Sequence, residues 1–487
     1  MTVPAIRVSA THDAPVRPEG DFVLYWMTAS RRPTWNFALD RAIEWTQQTG
    51  KPLVVLEALR AGYPWASDRL HAFVLQGMAA NAEAFETSPA CYYPYVERER
   101  DAGKGLLEAL ASRAAVVVTD DYPAFFHRRM VGAVAPRLEV RLESVDSNGL
   151  VPLRATDHAY PTAFTFRLFL QKQLRAHLAS FPSKEPLKAL GGTARAALPA
   201  DVLTRWPRAT PDLLSGRAEA LRQLPIDHAV APVADVPGGW RAADGVLGAF
   251  LTERLRRYAD ERNQPQEEVA SGLSPYLHFG HVSVHGIFSE LMTREGWTTR
   301  ALASSAKGSR EGWWGTSRPV ESFLDELITW REVGYNMCHH RADYERYESL
   351  PGWARATLDA HAADERSHVY PLDAFESSDT HDPLWNAAQT QLRTEGRIHN
   401  YLRMLWGKKI LEWTASPREA LAVMIELNNK YALDGRDPNS YSGIFWVLGR
   451  YDRPWAPERP VFGTIRYMSS ENTARKLRVR RYLERYS

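Results

Sequence analysis

Short apolar runs alternate with longer stretches of helical periodicity across residues 22–145. The runs cover residues 22–27, 53–56, 92–96, 115–119 and 138–145, and helical patterns fill 35–49, 67–86, 104–112 and 124–133. Strands that alternate with helices predict a parallel, doubly wound sheet. Runs that are apolar throughout indicate a sheet covered on both faces. No G-x-G-x-x-G motif follows the first run, so we expect residues 20–150 to form a domain that is Rossmann-like in pattern only.

The pattern changes twice further along the chain. Residues 151–243 are rich in Pro and Gly, in segments such as SFPSKEP and DVPGGW, and predict a long linker with a helix at 163–178. From residue 244 to 487 strand signals nearly vanish, and helical patterns cover 246–262, 283–294, 320–336, 383–395, 398–413 and 417–431. The predicted fold class is therefore an N-terminal α/β domain, a linker and a C-terminal all-helical domain.

Composition excludes several classes of protein. The 487 residues are 44% hydrophobic and 24% charged, which is typical of a globular chain. The two cysteines, Cys91 and Cys338, cannot form a disulfide framework, lack zinc-site spacing and indicate a reducing cytoplasm. We find neither an apolar signal core nor a membrane-spanning stretch. The net charge of +2 neither requires nor excludes a nucleic-acid partner.

The chain contains 16 tryptophans, which is an unusual number. Trp406 and Trp413 are seven residues apart on one predicted helix and therefore share a face. Trp385 lies on the preceding helix, so a helical hairpin would bring the three indoles together. Aligned indoles would let an electron hop from the surface to a buried acceptor, although the same spacing also fits an aromatic seam between packed helices.

The segment SGLSPYLHFG has hydroxyl groups and a glycine just before a proline and an apolar helix. Ser271, Gly272, Leu273 and Ser274 could hold a phosphate with hydroxyl and backbone N–H groups, although an ordinary capped turn has the same composition. Upstream, Tyr258 and Arg262 are four residues apart and share a helix face.

Two further pairs could bind a base or a ring. Glu326 and Trp330 are four residues apart, and in a base pocket such a pair could stack on a base and hydrogen-bond its edge. Otherwise they are a boundary pair of an amphipathic helix. Asp434 and Asp437 flank Arg436 in a turn-forming stretch and could accept from a flavin N–H or pair with an arginine, although a plain turn built from Asp, Gly and Pro fits equally well. The basic, aromatic C-terminus fits either a phosphate backbone or a solvated helix.

Five segments together resemble the photolyase/cryptochrome family and, within it, the class II cyclobutane pyrimidine dimer photolyases. They are SGLSPYLHFG, HDPLWNAAQ, HNYLRMLWGKKILEW, NNKYALDGRDPNSYSGIFW and ERPVFGTIRYM, which occur in the family's order. The resemblance implies an FAD-binding helical domain. It also implies a monomeric enzyme that passes an electron from reduced FAD, under blue light, to a pyrimidine dimer flipped out of DNA. It leaves open whether a deazaflavin, a folate or no antenna chromophore binds the N-terminal domain.

The resemblance also assigns residues to roles. Flavin contacts fall on Tyr258, Arg262, Ser271, Gly272, Leu273, Ser274, Arg403, Asn428, Asp434 and Asp437, with an Arg403–Asp434 salt bridge beside the ring and Asn428 at flavin N5. Lesion and DNA contacts fall on Glu326, Trp330, Met404, Trp446, Arg453, Trp455 and Arg466. The electron-transfer chain is Trp406, Trp385 and Trp413, with Trp406 nearest the flavin.

Two other functions fit parts of the pattern: a cryptochrome-like light sensor without repair activity, and a flavin protein with unrelated redox chemistry. The dimer-pocket residues Glu326, Trp330 and Trp446 favour repair, because a sensor has no need of a lesion pocket. A (6-4) photoproduct is a weaker candidate substrate. Its repair in the family uses a pocket histidine, and His339 and His340 lie outside the matching motif.

Overall fold

The computed structural model describes residues 2–487, which divide into two compact units. Unit 1 comprises the chain up to residue 156 together with 174–248 and 273–297. Unit 2 comprises residues 157–173, 249–272 and 298–487. The chain therefore passes between the units several times, and each unit is assembled from separate stretches of sequence.

Unit 1 contains a six-stranded sheet. Its strands are β1 (Val8–His12), β2 (Phe22–Met27), β3 (Leu53–Leu59), β4 (Cys91–Val96), β5 (Ala114–Asp120) and β6 (Leu142–Val145). They lie in the order β1-β6-β5-β2-β3-β4. All neighbours are parallel except β1, which pairs antiparallel with β6. The predicted parallel, doubly wound α/β arrangement is confirmed.

The apolar strands are buried on both faces of the sheet. Successive residues of β2 point to opposite faces, so Phe22, Leu24 and Trp26 join one apolar cluster. Val23, Tyr25 and Met27 join the other. This explains why β2 has no polar position that would mark it as half-exposed.

Two differences from the sequence prediction concern the edge of the sheet. β1 was not predicted, because its sequence VSATH is mostly polar and its residues are at most half-buried. β6 begins at Leu142 rather than at Leu138, although Leu138 and Val140 are buried. These two side chains contribute to the core without belonging to a strand, and an apolar pattern cannot distinguish the two cases.

Strands β2 and β5 flank the point at which the strand order reverses, where open α/β sheets usually bind ligands. Here the carboxylate of Asp120 accepts from the backbone N–H groups of Thr28, Ala29 and Ser30 at 2.8, 2.8 and 3.1 Å. Its other oxygen accepts from Tyr25 Oη at 2.9 Å. These donors therefore have their acceptor within the chain and are not available to an antenna chromophore.

The helices are numbered in chain order. They are α1 (Phe37–Thr49), α2 (Asp68–Glu86), α3 (Leu106–Ala111), α4 (His127–Val134), α5 (Ala163–His177), α6 (Ala200–Arg205), α7 (Pro211–Leu214), α8 (Ala218–Leu221), α9 (Trp240–Ala249), α10 (Leu255–Glu261), α11 (Ser274–His278), α12 (Val284–Arg294), α13 (Arg318–Leu324), α14 (Arg331–His340), α15 (Gly352–Ala360), α16 (Leu372–Ser377), α17 (Pro383–Glu395), α18 (Asn400–Trp413), α19 (Pro417–Tyr431), α20 (Pro438–Val447), α21 (Ser470–Lys476) and α22 (Arg480–Tyr486).

Unit 2 is helical, as predicted, but two of its helices contain a wider turn. π-Helical segments occur at Phe250–Arg254, before α10, and at Asp325–Trp330, between α13 and α14. The sequence predicted continuous α-helices over both stretches. Single π-helical turns are frequent at functional sites, and the second segment contains both Glu326 and Trp330.

Capping residues set where the central helices of unit 2 begin. Asp382 accepts from the backbone N–H groups of Leu384 and Trp385, both at 3.0 Å, and Pro383 opens α17. Ser416 caps α19 in the same way, with Pro417 at its first position. The Asp382 cap fixes the start of α17 and therefore the position of Trp385. No helix formed by residues 2–487 has the length and apolarity of a membrane span.

Candidate flavin and lesion site

Helices α17, α18, α19 and α20 pack together in unit 2 and carry the three predicted electron-transfer tryptophans together with Arg403 and Asn428. Arg403 of α18 donates to Asp434 Oδ1, just beyond α19, at 3.1 Å. Both side chains remain partly exposed, at 17% and 16%. The ion pair predicted beside the flavin ring is therefore formed, and it lies where a bound molecule could reach it.

Asn428 of α19 is 3% exposed. Its Nδ2 donates to Ser440 Oγ at 2.7 Å and to Asn429 Oδ1 at 3.2 Å. These bonds leave Oδ1 as the atom that can accept from a ligand. A fixed amide oxygen fits an N–H donor such as the one that a reduced flavin carries at N5.

The helix pair α10 and α13 holds the second part of the site. Arg262 directly follows α10 and forms an ion pair with Glu326, and both side chains stay about a quarter exposed. Burial raises the pKa of the Glu326 carboxyl, and the neighbouring Arg262 opposes this shift. Tyr258 is buried one turn earlier on α10, and burial likewise raises its pKa. Trp330 is half-buried at the other end of the π-helical segment.

The predicted phosphate segment is divided between the two units. Ser271 and Gly272 close a stretch of unit 2, whereas Leu273 and Ser274 open a stretch of unit 1. Gly272 has φ +73°, a backbone conformation that favours glycine, and Leu273 is buried. Ser274 is exposed at the first position of α11. The local turn is thus defined, and its phosphate role stays a prediction.

Two buried nitrogen atoms near Arg262 bear on whether this region suits a polar ligand. One belongs to Gln266, four residues further along the chain, and the other to His399, which contacts Arg262 in the fold. Within residues 2–487, Gln266 Nε2 and His399 Nδ1 have no hydrogen-bond partner. His399 precedes α18 and is hydrogen-bonded to the backbone of Arg262, and burial lowers its pKa to about 4. Unpartnered buried polar atoms are costly, so they fit a region that binds a hydrogen-bonding cofactor such as FAD.

The three predicted electron-transfer tryptophans are all buried and linked. Trp385 and Trp413 pack edge to face, with ring centroids 6.1 Å apart. Trp385 Nε1 donates to the backbone oxygen of Trp406 at 3.0 Å. Trp413 is only 1% exposed, so it is not itself the surface end of the path. His381, which is exposed, packs against its ring at 4.8 Å.

The predicted DNA contacts form one cation–aromatic cluster. The Arg466 guanidinium lies 5.7 Å from the Trp446 ring and 4.8 Å from the Trp455 ring. Arg453 lies 4.6 Å from the Trp455 ring. Both arginines are exposed, and Trp446 and Trp455 are half-buried. These four residues are spread over 21 positions of the sequence. In the structure they lie together and form a surface of basic groups and aromatic rings.

Lys408 lies behind this cluster and was not predicted. It is fully buried, its Nζ donates to Val447 O at 2.5 Å, and it lies 5.0 Å from the Trp446 ring. Burial lowers the pKa of Lys408 to about 7, with Asp452 opposing and Arg466 adding to the shift. A lysine inside the apolar stretch LWGKKILEW was the available signal.

We expect Lys408→Met to stabilise the protein by roughly 1–4 kcal/mol near neutral pH and below, because it removes a poorly compensated buried charge. The pKa of Lys408 is lower in the folded than in the unfolded state. Between about pH 7 and about pH 10 the unfolded chain therefore binds more protons than the native protein. Because of this difference, the native protein gains stability as pH rises through that window. The advantage of the variant should therefore shrink across that window, measured as urea midpoints. Lys409→Met, which removes a lysine paired with Glu412 at 2.7 Å, serves as the control. A pH-independent difference for Lys408→Met would contradict the account.

Two predicted residues, Met404 and Asp437, differ in their surroundings. Met404 is half-buried on α18 next to Arg403. Asp437 is buried and caps α20 through the N–H of Asn439 at 2.8 Å, and it also accepts from Tyr335 Oη at 3.0 Å. The observed partners of Asp437 are thus structural, and its predicted flavin contact stays a prediction.

The fold is that of a known class of protein. A solved bacterial class III photolyase from Agrobacterium tumefaciens aligns with a TM-score of 0.67 at 18% identity, covering 96% of this chain and 86% of that one. At this identity the likeness shows the fold, which is that of a photolyase. No family model matches the sequence.

Full-length relatives give the family. The deoxyribodipyrimidine photo-lyase of Methanothermobacter thermautotrophicus is 34% identical over 96% of this chain and 94% of its own length. The deoxyribodipyrimidine photo-lyase of Oryza sativa subsp. japonica is 35% identical over 98% of this chain and 89% of its own length. The chain belongs to the deoxyribodipyrimidine photo-lyase family and is a photolyase of DNA photorepair.

Proposed function

We propose that the protein is a class II photolyase that splits cyclobutane pyrimidine dimers with an electron from reduced FAD. One observation carries this proposal: helix α20 connects the two halves of the site. Asn428, the amide assigned to the flavin, is hydrogen-bonded to Ser440 near the start of α20. Trp446, near the end of the same helix, contacts Arg466 in the cation–aromatic cluster. A donor held at one end would therefore lie on the same rigid element as the lesion surface.

FAD, when bound and reduced, supplies one electron to the lesion under blue light and recovers it after the ring has split. The chain's own residues bind and orient. Asn428 offers a fixed amide oxygen to a ring N–H, and the Arg403–Asp434 pair presents one charge of each sign beside it. Asn428 itself is buried, which strengthens its polar contacts.

Glu326 and Trp330 are proposed to receive the flipped dimer. The edge of a base presents hydrogen-bonding groups, and its face can stack on an indole. Without DNA, the Glu326 carboxylate is paired with Arg262. We propose that the lesion takes over part of this hydrogen bonding. Burial raises the pKa of the Glu326 carboxyl, and we propose that Glu326 is protonated in the complex and donates its O–H to a carbonyl oxygen of the dimer. The negative charge of the dimer after electron uptake then lies between this donor and the Arg262 cation.

The exposed face of the cluster is proposed to bind the DNA backbone around the lesion. Arg453 and Arg466 can reach phosphates, while Trp446 and Trp455 offer rings for unstacked bases. A damaged base pair is less costly to open than an intact one, which favours flipping at the lesion.

The deciding experiment incubates flavin-loaded, photoreduced protein with dimer-containing DNA in blue light and in darkness. Light-dependent loss of dimers is expected. Flavin binding without dimer loss would instead indicate a light sensor. Repair of (6-4) photoproducts in preference to dimers would overturn the substrate assignment.

Glu326→Ala should lower the quantum yield of repair several-fold while flavin stays bound. Without this hydrogen bond the dimer radical anion is less stabilised, so splitting competes less well with return of the electron. Repair yield per absorbed photon and flavin absorbance are measured on the same sample. Glu326→Gln, which keeps a hydrogen-bonding side chain of the same length, should lose less. An unchanged yield in the alanine variant would remove Glu326 from this role.

A further inference from the structure

Gln389 of α17 lies fully buried beside the proposed electron path, and no role has yet been given to it. Its Oε1 accepts from the indole Nε1 of Trp406 at 2.9 Å. Within residues 2–487 its Nε2 has no hydrogen-bond partner. A buried amide N–H group without a hydrogen-bond partner lowers the stability of the fold, so the presence of Gln389 at this position needs an explanation.

The second inner indole has an acceptor of the same kind. Trp385 Nε1 donates to the backbone oxygen of Trp406 at 3.0 Å. Both N–H groups therefore face neutral amide oxygens, one from a side chain and one from the backbone. Neither oxygen can hold a proton near neutral pH, because amide oxygens act only as acceptors of hydrogen bonds.

This matters because an indole that has lost an electron becomes a much stronger acid at its N–H. If a base accepts that hydrogen bond, the proton leaves and a neutral radical stays where it formed. If the acceptor is an amide, the proton is retained, and the next indole can supply an electron that neutralises the radical cation. The hydrogen bond also stabilises the cation, because bonds to charged groups are stronger than those between neutral ones.

The surroundings of Trp413 differ from those of the two inner indoles. Its ring packs against the exposed imidazole of His381, and Tyr370 Oη lies 2.8 Å from His381 Nδ1. Burial lowers the pKa of His381, with His368 and Lys409 adding to the shift and Asp382 and Glu412 opposing it. A neutral imidazole and solvent are therefore first available as bases at the outer end of the path.

We propose that Gln389 is a positioning residue of the electron path, holding the Trp406 N–H on a non-basic oxygen so that oxidised Trp406 keeps its proton. The inference rests on the proposed function. One electron leaves Trp406 for the light-excited flavin, Trp385 refills Trp406, and Trp413 refills Trp385. The N–H proton of Trp413 then passes to His381 or to water. A one-electron reductant in solution, such as a thiol, finally refills Trp413.

The hydrogen bond itself can be tested in the dark. In flavin-loaded protein labelled with ¹⁵N at tryptophan, the Trp406 indole N–H signal should be shifted and slow to exchange. Gln389→Leu should move this signal and speed its exchange, while the Trp413 signal stays in place. An unchanged Trp406 signal in Gln389→Leu would show that the bond does not exist and would overturn the proposal.

The role is tested by confining the charge to Trp406 with Trp385→Phe. Transient absorption distinguishes an indole radical cation from the neutral radical. In Trp385→Phe we expect only the cation, which decays by recombination at a rate insensitive to D₂O. In Trp385→Phe/Gln389→Glu we expect the neutral radical to appear as pH rises and the new carboxylate ionises.

The possible outcomes distinguish the role of Gln389 from the existence of the electron path. A neutral radical in Trp385→Phe with Gln389 intact would refute the role of Gln389 alone, because the path would still operate. No indole radical in the parent protein would refute the path, and the role of Gln389 with it. The Trp385→Phe test retains the native glutamine, so it remains decisive even if the Glu variant folds poorly.

Discussion

Trp406→Phe should slow photoreduction of bound flavin about tenfold or more, which corresponds to at least ~1.4 kcal/mol of added barrier. A benzene ring is much harder to oxidise than an indole, so the first step from the proposed path is lost. The variant should still repair dimers when its flavin is reduced chemically, because the cation–aromatic cluster of Trp446 and Arg466, proposed to bind DNA, is unchanged. Photoreduction under continuous blue light and repair in a separate assay are the two measurements.

A matched control tests whether any buried tryptophan matters equally. Trp313 is also buried in unit 2, packs against Trp314 at 4.8 Å, and takes no part in the proposed path. Trp313→Phe should photoreduce at the parent rate. Equal photoreduction in parent and Trp406→Phe would refute the path, whereas equal slowing in both variants would indicate general damage to the fold.

Arg167→Met should destabilise unit 2 by about 3–5 kcal/mol, the usual cost of breaking a buried ion pair by removing one partner. Arg167 of α5 binds Asp325 with two hydrogen bonds, Nε to Oδ1 at 2.7 Å and Nη2 to Oδ2 at 3.0 Å. Asp325 opens the π-helical segment and directly precedes Glu326. Repair should therefore fall as well, because the segment that positions Glu326 loses its anchor. Urea unfolding and repair yield are measured together.

The double variant Arg167→Met/Asp325→Leu is the informative control. Replacing both partners with apolar side chains of similar volume removes the uncompensated charge, so most of the lost stability should return. If the double variant is as unstable as the single one, packing around the pair rather than its charge supports this region. If Arg167→Met alone costs nothing, the ion pair does not stabilise the unit.

The sequence predicted the sheet well because its strands are buried and short. Residues 22–27 are apolar without interruption, and strand β2 has these same bounds. The sequence missed β1, since a polar edge strand has no pattern of its own. It also missed both π-helical segments, because one extra residue in a turn hardly alters a helical pattern.

Within the site, the family resemblance predicted the Arg403–Asp434 ion pair between two motifs, but spacing alone predicted no pair between distant residues. The Arg262–Glu326 ion pair joins residues that no spacing relates, so the two residues were predicted in separate roles. Gln389 could have been found, because it is a polar residue one helical turn after Trp385 on a face that is otherwise apolar. Its partner on the neighbouring helix could not, since helix packing decides it.

The stacking of Arg453 and Arg466 on indole rings affects the entropy cost of binding DNA. A free surface arginine samples many rotamers, and ordering it costs up to about 2 kcal/mol of side-chain entropy. Here both guanidinium groups already lie on tryptophan rings before any phosphate arrives. Much of this ordering cost therefore falls on folding rather than on binding, which leaves more of each phosphate contact to hold an opened duplex.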